Sequence, residues 1–288
     1  MKTYDVFLDY YDQIVRSINN PIEDEVEFLV EDCIKQYKPE TKTILETACG
    51  TGVVAKELRK SGYKVIGLDI SEKMLEKAEK LLNPPLTPPL NKGGGQKVEL
   101  VLADMTDFDL GKTFDTVLCN YNSICHLLKW SQWQAFFDMA YKHLEKDGLF
   151  IFDINTVYEF ENITREFAQF YNFGDDTVCL EMIKTSPPSP QLRSNFEDSR
   201  SSTPVSVILK GEGSQAGFIY QWLVKIFKKS DDGRYDLIQE LVRENSFPIS
   251  KIKKELKDKG FKILEMVDYH YGEVTAKSER VYFICKKK

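Results

Sequence analysis

The run TILETACGTGVVAKELRKSGYKVIGLD, Thr43 to Asp69, constrains the fold more than any other stretch of this chain. Residues 43–46 are β-branched, apolar or strand-tolerant, and they end in an acid. A turn of small residues follows, and then residues 53–60 carry helix formers with an apolar face. Ser61-Gly62 stops that helix, and residues 64–68 form a second apolar run closed by Asp69. A strand, a helix and a strand at this spacing make a right-handed βαβ unit with parallel strands. Parallel strands need both faces of their sheet covered, so the rest of the chain must supply more helices and strands.

It does. Asn20-Pro21 before Glu23, Asp24 and Glu25 predicts a helix start, with Asn as cap and Pro in the first turn. Ile22, Val26, Leu29, Val30, Cys33, Ile34 and Tyr37 then recur at helical spacing. Ser71 can cap a helix carrying Met74, Leu75, Ala78, Leu81 and Leu82. Strands are expected at 98–102, 114–119 and 149–154, with a helix at 131–145. The fold class is therefore α/β, a Rossmann-like, mostly parallel sheet with helices on both faces.

Two segments break the rhythm. Residues 83–97 are rich in Pro and Gly and predict a flexible loop, as do the polar, Pro- and Ser-rich residues 185–204. Around the second lie strand-like runs at 177–183, 217–228 and 235–247, with the turn signal Asp231-Asp232-Gly233 between the last two. These predict an antiparallel β insertion. The end returns to α/β, with a helix at 249–259 and strands at 261–267 and 280–285. The expected division is a core of residues 1–156 plus 248–288, with an insertion of residues 157–247.

Composition narrows function. A net charge of −6 argues against non-specific nucleic-acid binding, which needs a basic face. The opening MKTYDVFLDYYDQIV has no apolar signal-peptide core, and no apolar run is long enough to span a bilayer. The expectation is a cytoplasmic protein without membrane or nucleic-acid partners. The six cysteines form no C-x-x-C pair and sit mostly in apolar runs, as buried thiols do. The three histidines are too scattered for a metal site.

The loop Glu46-Thr47-Ala48-Cys49-Gly50-Thr51-Gly52 admits more than one ligand. A phosphate-binding P-loop is excluded, because no Lys-Ser or Lys-Thr follows the glycines at the required spacing. Gly50-Thr51-Gly52-Val53-Val54-Ala55 fits the dinucleotide pattern, with Asp69 placed for a ribose. Read from Glu46, the loop fits the E/D-x-G/A-x-G-x-G signature for S-adenosylmethionine. The chemistry separates the two. An acid at the mouth repels a pyrophosphate, but it suits the ammonium and sulfonium of a methyl donor. Glu46, Asp69 and Asp104 close successive strands, at the edge where open α/β sheets bind ligands.

The segments YDVFLDYYD, ILETACGTG, VIGLDISEKMLEKAEK and FDTVLCNYNSICHL, with YKHLEKDGLFIFDINT, resemble the class I S-adenosylmethionine-dependent methyltransferases of the small-molecule type. The likeness covers residues 4–156 and resumes at 250–288, where SERVYFICKK is similar to the family's last strand. It implies a seven-stranded sheet of order 3-2-1-4-5-7-6 with an antiparallel last strand. It also implies that the insertion covers the acceptor, as in small-molecule N- and O-methyltransferases, sugar and amino-acid N-methyltransferases among them. Carried over by residue, Glu46, Ala48, Cys49, Gly50 and Gly52 line the methionine end of S-adenosyl-L-methionine. Asp69 and Ile70 hold ribose and adenine with Met74 nearby, Asp104 and Met105 bind adenine, and Asn120 and Tyr121 lie beside the methyl group. Tyr11 closes over the cofactor. NYNS after the fourth strand is not the N/D-P-P-Y/F of amino-methyltransferases acting on adenine, cytosine and glutamine.

Methyl transfer is an in-line displacement that needs alignment more than a base. His126 is the base candidate, with Tyr11 beside it; a backbone carbonyl can equally satisfy that histidine. Tyr10, Tyr11, Tyr121, Tyr171, Trp222, Arg243 and Glu244 can line the acceptor pocket. The function expected is N- or O-methylation of a small-molecule acceptor by a monomer or homodimer. An NAD-dependent oxidoreductase and a non-catalytic cofactor-binding protein stay open as alternatives.

Overall fold

The computed structural model describes residues 8–18, 21–84, 97–162, 168–184 and 220–288. Most of the loop expected at 83–97, all of 185–204, Asn20 and the first residues of the 217–228 run lie outside these.

Strands β1 (Thr43–Thr47), β2 (Lys64–Asp69), β3 (Glu99–Leu102), β4 (Phe114–Cys119), β5 (Leu144–Asn155), β10 (Phe261–Asp268) and β11 (Arg280–Lys287) form one sheet. Its order is β10-β11-β5-β4-β1-β2-β3, and β11 runs antiparallel to both neighbours. This is the order and the antiparallel strand expected. The central strands are apolar on both faces, as parallel strands under two helical layers must be. Ile44, Leu118, Leu149 and Ile151 pack into one apolar cluster, and Leu45, Val117, Phe150 and Phe152 into the other. Those sets alternate along their strands, so each belongs to one face.

Helices follow their sequence signals closely. Helix α1 spans Leu8–Ile18 and α2 spans Ile22–Glu27. Helix α3 (Val53–Lys60) buries Val54, Ala55 and Leu58. Helix α4 (Glu72–Leu82) is capped by the Ser71 hydroxyl, which accepts from Met74 N–H at 3.3 Å. Helix α5 (Trp130–His143) buries Trp133, Phe136, Phe137 and Ala140. The Trp133 indole N–H donates to the Leu127 carbonyl at 2.8 Å, which makes the full burial of that ring affordable. Helix α6 spans Val157–Asn162 and α7 spans Ile249–Asp258. One expectation is corrected: α2 does not stay regular, and Phe28–Lys35 winds on as a π-helix. Apolar spacing over two turns does not distinguish the two windings, since both keep the same broad face inward.

Strands β6 (Ala168–Phe173), β7 (Asp176–Lys184), β8 (Tyr220–Lys229) and β9 (Tyr235–Glu244) form a separate antiparallel sheet in chain order. Strand β6 carried no clear sequence signal. The turn between β8 and β9 holds Asp231-Asp232-Gly233 as expected, with Gly233 at φ +85°. On the inner face Val178, Leu180, Val224, Ile226 and Val242 pack around Ile14 of α1. Helix α1 thus docks on the small sheet while reaching the strand ends of the large one. Among the described residues, no helix is long and apolar enough to cross a membrane.

Candidate active site

The strand-ended loop after β1 turns through left-handed backbone at Ala48 (φ +53°), Gly50 (φ +54°) and Gly52 (φ +78°). The two glycines have different tasks. A Cβ on Gly50 would meet nothing within 4 Å, so its open side faces ligand space. A Cβ on Gly52 would lie 2.8 Å from Leu82 Cδ1 and 3.1 Å from Ala78 Cβ. Gly52 is expected to line the ligand, and its bare Cα also lets α3 and α4 pack closely. Glycine spacing alone cannot separate these tasks, because both need a missing side chain.

Asp69, at the end of β2, fastens the loop. Its carboxylate accepts from Gly50 N–H and from Ser71 N–H, both at 2.8 Å. Burial raises its pKa, and the amides of Ser71, Gly50 and Ile70 and the nearby His126 oppose that rise. Glu46 differs. It is 4% exposed, and its Oε2 has no hydrogen-bond partner. Burial and then the charge of Asp69 push its pKa up to about 8, against a backbone hydrogen bond from Ala55. A carboxyl in that setting holds its proton until a cation arrives.

Glu46, Ala48, Cys49, Gly50, Asn120, Tyr121 and Tyr11 line one cavity of about 40 Å³, and among the described residues no lysine, arginine or histidine lines it. Both side-chain polar atoms of Asn120 and the Tyr121 hydroxyl are buried without hydrogen-bond partners, and the Tyr121 ring lies against Arg280. Helix α1 roofs the cavity. Asp12 accepts from the Thr51 hydroxyl at 2.6 Å, Lys77 of α4 donates to the Leu8 carbonyl at 2.6 Å, and Tyr10 donates to Asp176 of β7 at 2.6 Å. Asp12 and Thr51 were not singled out from sequence, although Asp12 belongs to the quoted YDVFLDYYD.

The remaining cofactor candidates are not on the walls of this cavity. Ile70 is 51% exposed, and Met74 is buried at the start of α4. Asp104 is exposed and accepts from the amide and hydroxyl of Thr106, while Met105 packs half-buried against the core. Residues Asn120 to Ser123 leave β4 through a left-handed turn, with φ of +55° at Tyr121 and +46° at Asn122. Asp153 of β5 holds that turn, accepting from Asn122 N–H at 2.7 Å.

On the acceptor side, Tyr10, Tyr11, Tyr171 and Trp222 pack on the inner face of the small sheet. Arg243 does not join them. It pairs across the ladder with Gln221, whereas Val242 pairs with Trp222, so strand alternation puts Arg243 on the opposite face from Val242 and Glu244. His126 Nδ1 lies 3.2 Å from the Arg243 carbonyl, the backbone contact anticipated for it.

Sequence reasoning missed a buried ion network beside this turn. Arg280 of β11 donates to Asp153 at 2.5 Å and to Glu25 of α2 at 3.3 Å. Tyr282 donates to Glu25 at 2.8 Å. The Arg280 guanidinium also lies over the rings of Tyr121, Tyr269 and Tyr282, 4.7 to 5.3 Å from their centroids. The signal was present: an arginine opening the run VYFIC of a buried strand needs partners.

Residues 44–148 match a family model described as a methyltransferase domain. A protein of Geobacillus sp. (strain WCH70) named as a methyltransferase is 29% identical over 99% of this chain and 100% of its own. A dTDP-3-amino-3,6-dideoxy-alpha-D-glucopyranose N,N-dimethyltransferase of Streptomyces fradiae is 31% identical over 41% of each chain. The crystal structure of an S-adenosylmethionine-dependent methyltransferase from Clostridium acetobutylicum ATCC 824 superposes with a TM-score of 0.71, at 21% identity, over 99% of both chains. Residues 44–148 are thus similar to a methyltransferase domain, and the sheet order is that of the class I S-adenosylmethionine-dependent methyltransferase fold.

Proposed function

We propose that the protein moves a methyl group from S-adenosylmethionine to a small-molecule acceptor bound between the two sheets. The observation that carries this reading is Glu46: a buried carboxyl with an unpartnered oxygen, in a cavity lined by no basic side chain among the described residues. That site fits a cationic ligand and rejects a pyrophosphate, which removes the nicotinamide alternative.

The residues fit the cofactor part by part. Glu46 receives the cationic amino-acid end, and the open side of Gly50 lets the ligand lie against the loop. Asp69 uses its carboxylate for two loop amides and keeps further lone pairs for ribose hydroxyls. Ile70, Asp104 and Met105 surround the place of the adenine. When bound, the cofactor supplies an electrophilic methyl group on a sulfonium. Asn120 and Tyr121 supply buried polar atoms beside it, and Tyr11 closes the cleft from α1. A cavity of about 40 Å³ is far smaller than the roughly 300–1,000 Å³ of ordinary ligand pockets, so α1 must shift to admit the ligand. Its few polar tethers make it a lid.

The acceptor reading is a small amine, such as an amino sugar. It is supported by the amino-sugar activity named for the Streptomyces fradiae relative and by the aromatic inner face of the small sheet. Calorimetry with S-adenosylmethionine and S-adenosylhomocysteine tests the first half, and absence of binding at millimolar ligand would sink it. Transfer of an isotope-labelled methyl group into a metabolite extract, read by mass spectrometry, tests the second. A labelled product that is not an amine contradicts the acceptor class.

A further inference from the structure

One buried carboxyl in the cleft has no task on the cofactor side. Glu244 ends β9 on the inner face of the small sheet and is 6% exposed. The groups that hold it are neutral: Asn122 Nδ2 at 3.4 Å, Asn155 Nδ2 at 3.3 Å and the Trp222 side chain. Both amide bonds are long, so neither saturates a charged oxygen. Burial raises its pKa, and His126 is the ionisable neighbour that opposes the rise. On α1, Tyr11 lines the cavity beside Glu46, and its pKa is raised by burial and then by the charges of Asp69, Asp12 and Glu244.

The turn after β4 joins the two halves of the cleft. Asn120 lines the proposed cofactor cavity and has both side-chain polar atoms unpartnered, and Asn122, two residues on, reaches Glu244. Glu244 therefore lies across one short turn from the place of the transferable methyl, with a hydrogen-bonding amide on each side. A buried carboxylate held only by neutral donors is suited to a cationic partner. A hydroxyl acceptor brings no such charge; an amine arriving as ammonium does.

Resting on the methyl-donor reading above, we infer that Glu244 receives the amino nitrogen of the acceptor and takes its proton before transfer. The step balances without another reactant. The ammonium gives one proton to the carboxylate, leaving a neutral amine and a carboxylic acid. The nitrogen lone pair then forms the N–C bond as the C–S bond breaks, with its electron pair left on sulfur. The product leaves as a methylated ammonium, and Glu244 returns its proton to water.

Sinefungin tests this without the natural acceptor, because a carbon replaces the methyl donor's sulfur and an amine on it replaces the methyl. S-adenosylhomocysteine has the same amino-acid end, which faces Glu46, but no group at that position. Calorimetry should show the native protein binding sinefungin about tenfold or more tighter than S-adenosylhomocysteine, as a charged hydrogen bond requires. Glu244→Gln should abolish that preference and leave S-adenosylhomocysteine affinity within about twofold, while Glu244→Asp keeps part of it. Equal binding of the two ligands to the native protein overturns the role of Glu244 even if the variants fail to fold. An unchanged preference in a folded Glu244→Gln protein overturns it too. If neither ligand binds, the methyl-donor reading itself falls.

Discussion

Two sets of buried acids stand at the same edge of the seven-stranded sheet, and they are treated in opposite ways. Asp153 and Glu25 share a buried arginine, a tyrosine hydroxyl and the amide of Asn122. Among the described residues Glu46 and Asp69 share no lysine or arginine, and one oxygen of Glu46 has no partner. Asp153 Oδ1 also lacks a hydrogen-bond partner, but the first set has its counter-charge in Arg280 and fixes the turn after β4. The second has no such counter-charge among the described residues, which is what the proposed cationic ligand would bring. Burial alone does not mark a functional acid; what matters is whether the chain itself supplies the counter-charge.

The comparison breaks most sharply at Arg280. Arg280→Met leaves Asp153 and Glu25 buried without their cation and should destabilise the fold by about 3–5 kcal/mol, read by urea or thermal unfolding. Asp69→Ala should act on both folding and binding. It removes the acceptor of two loop amides and should weaken S-adenosylmethionine by about one to two decades. Glu46→Gln should weaken that ligand by a similar or smaller factor, yet stabilise the free protein. Here the sign follows from its pKa, raised to about 8 from 4.5. The folded state holds this proton more tightly than the unfolded chain does, so stability is intact at low pH and is lost as pH rises between those values. The advantage of Glu46→Gln should therefore grow across that window, by at most about 1.4 kcal/mol per pH unit, and level off above it. The smallest effect is expected at Asp12→Ala. It frees α1 from Thr51 at a cost of about 1 kcal/mol, seen as faster amide exchange over Leu8–Ile18.

The two acid sets also differ in how far they could be read from sequence. Glu46, Asp69 and the glycine loop form one contiguous pattern with a strand before it and a helix after it. Local periodicity and turn chemistry suffice there. The helix bounds 53–60 and the strand bounds 114–119 come out as expected for the same reason. The Arg280 network joins residues from α2, β5 and β11 that lie far apart along the chain. No spacing rule connects them, and only the oddity of an arginine in a buried strand points there. Strand alternation, available from sequence, would have separated Arg243 from Glu244. The register that fixes which of them faces inward comes only from the pairing of β8 with β9. The division of labour between Gly50 and Gly52 was equally hidden, since it depends on how α4 lies against α3.

The most direct test of Glu46 as the receiver of the ligand's cation is the proton it must give up. Calorimetric titration of S-adenosylmethionine at pH 7, in buffers of differing ionisation enthalpy, should reveal release of roughly one proton per ligand bound. Affinity should rise with pH toward about 8, where Glu46 ionises without help, and Glu46→Gln should release none. Binding with no proton release by the native protein, or the same release by Glu46→Gln, would contradict the assignment.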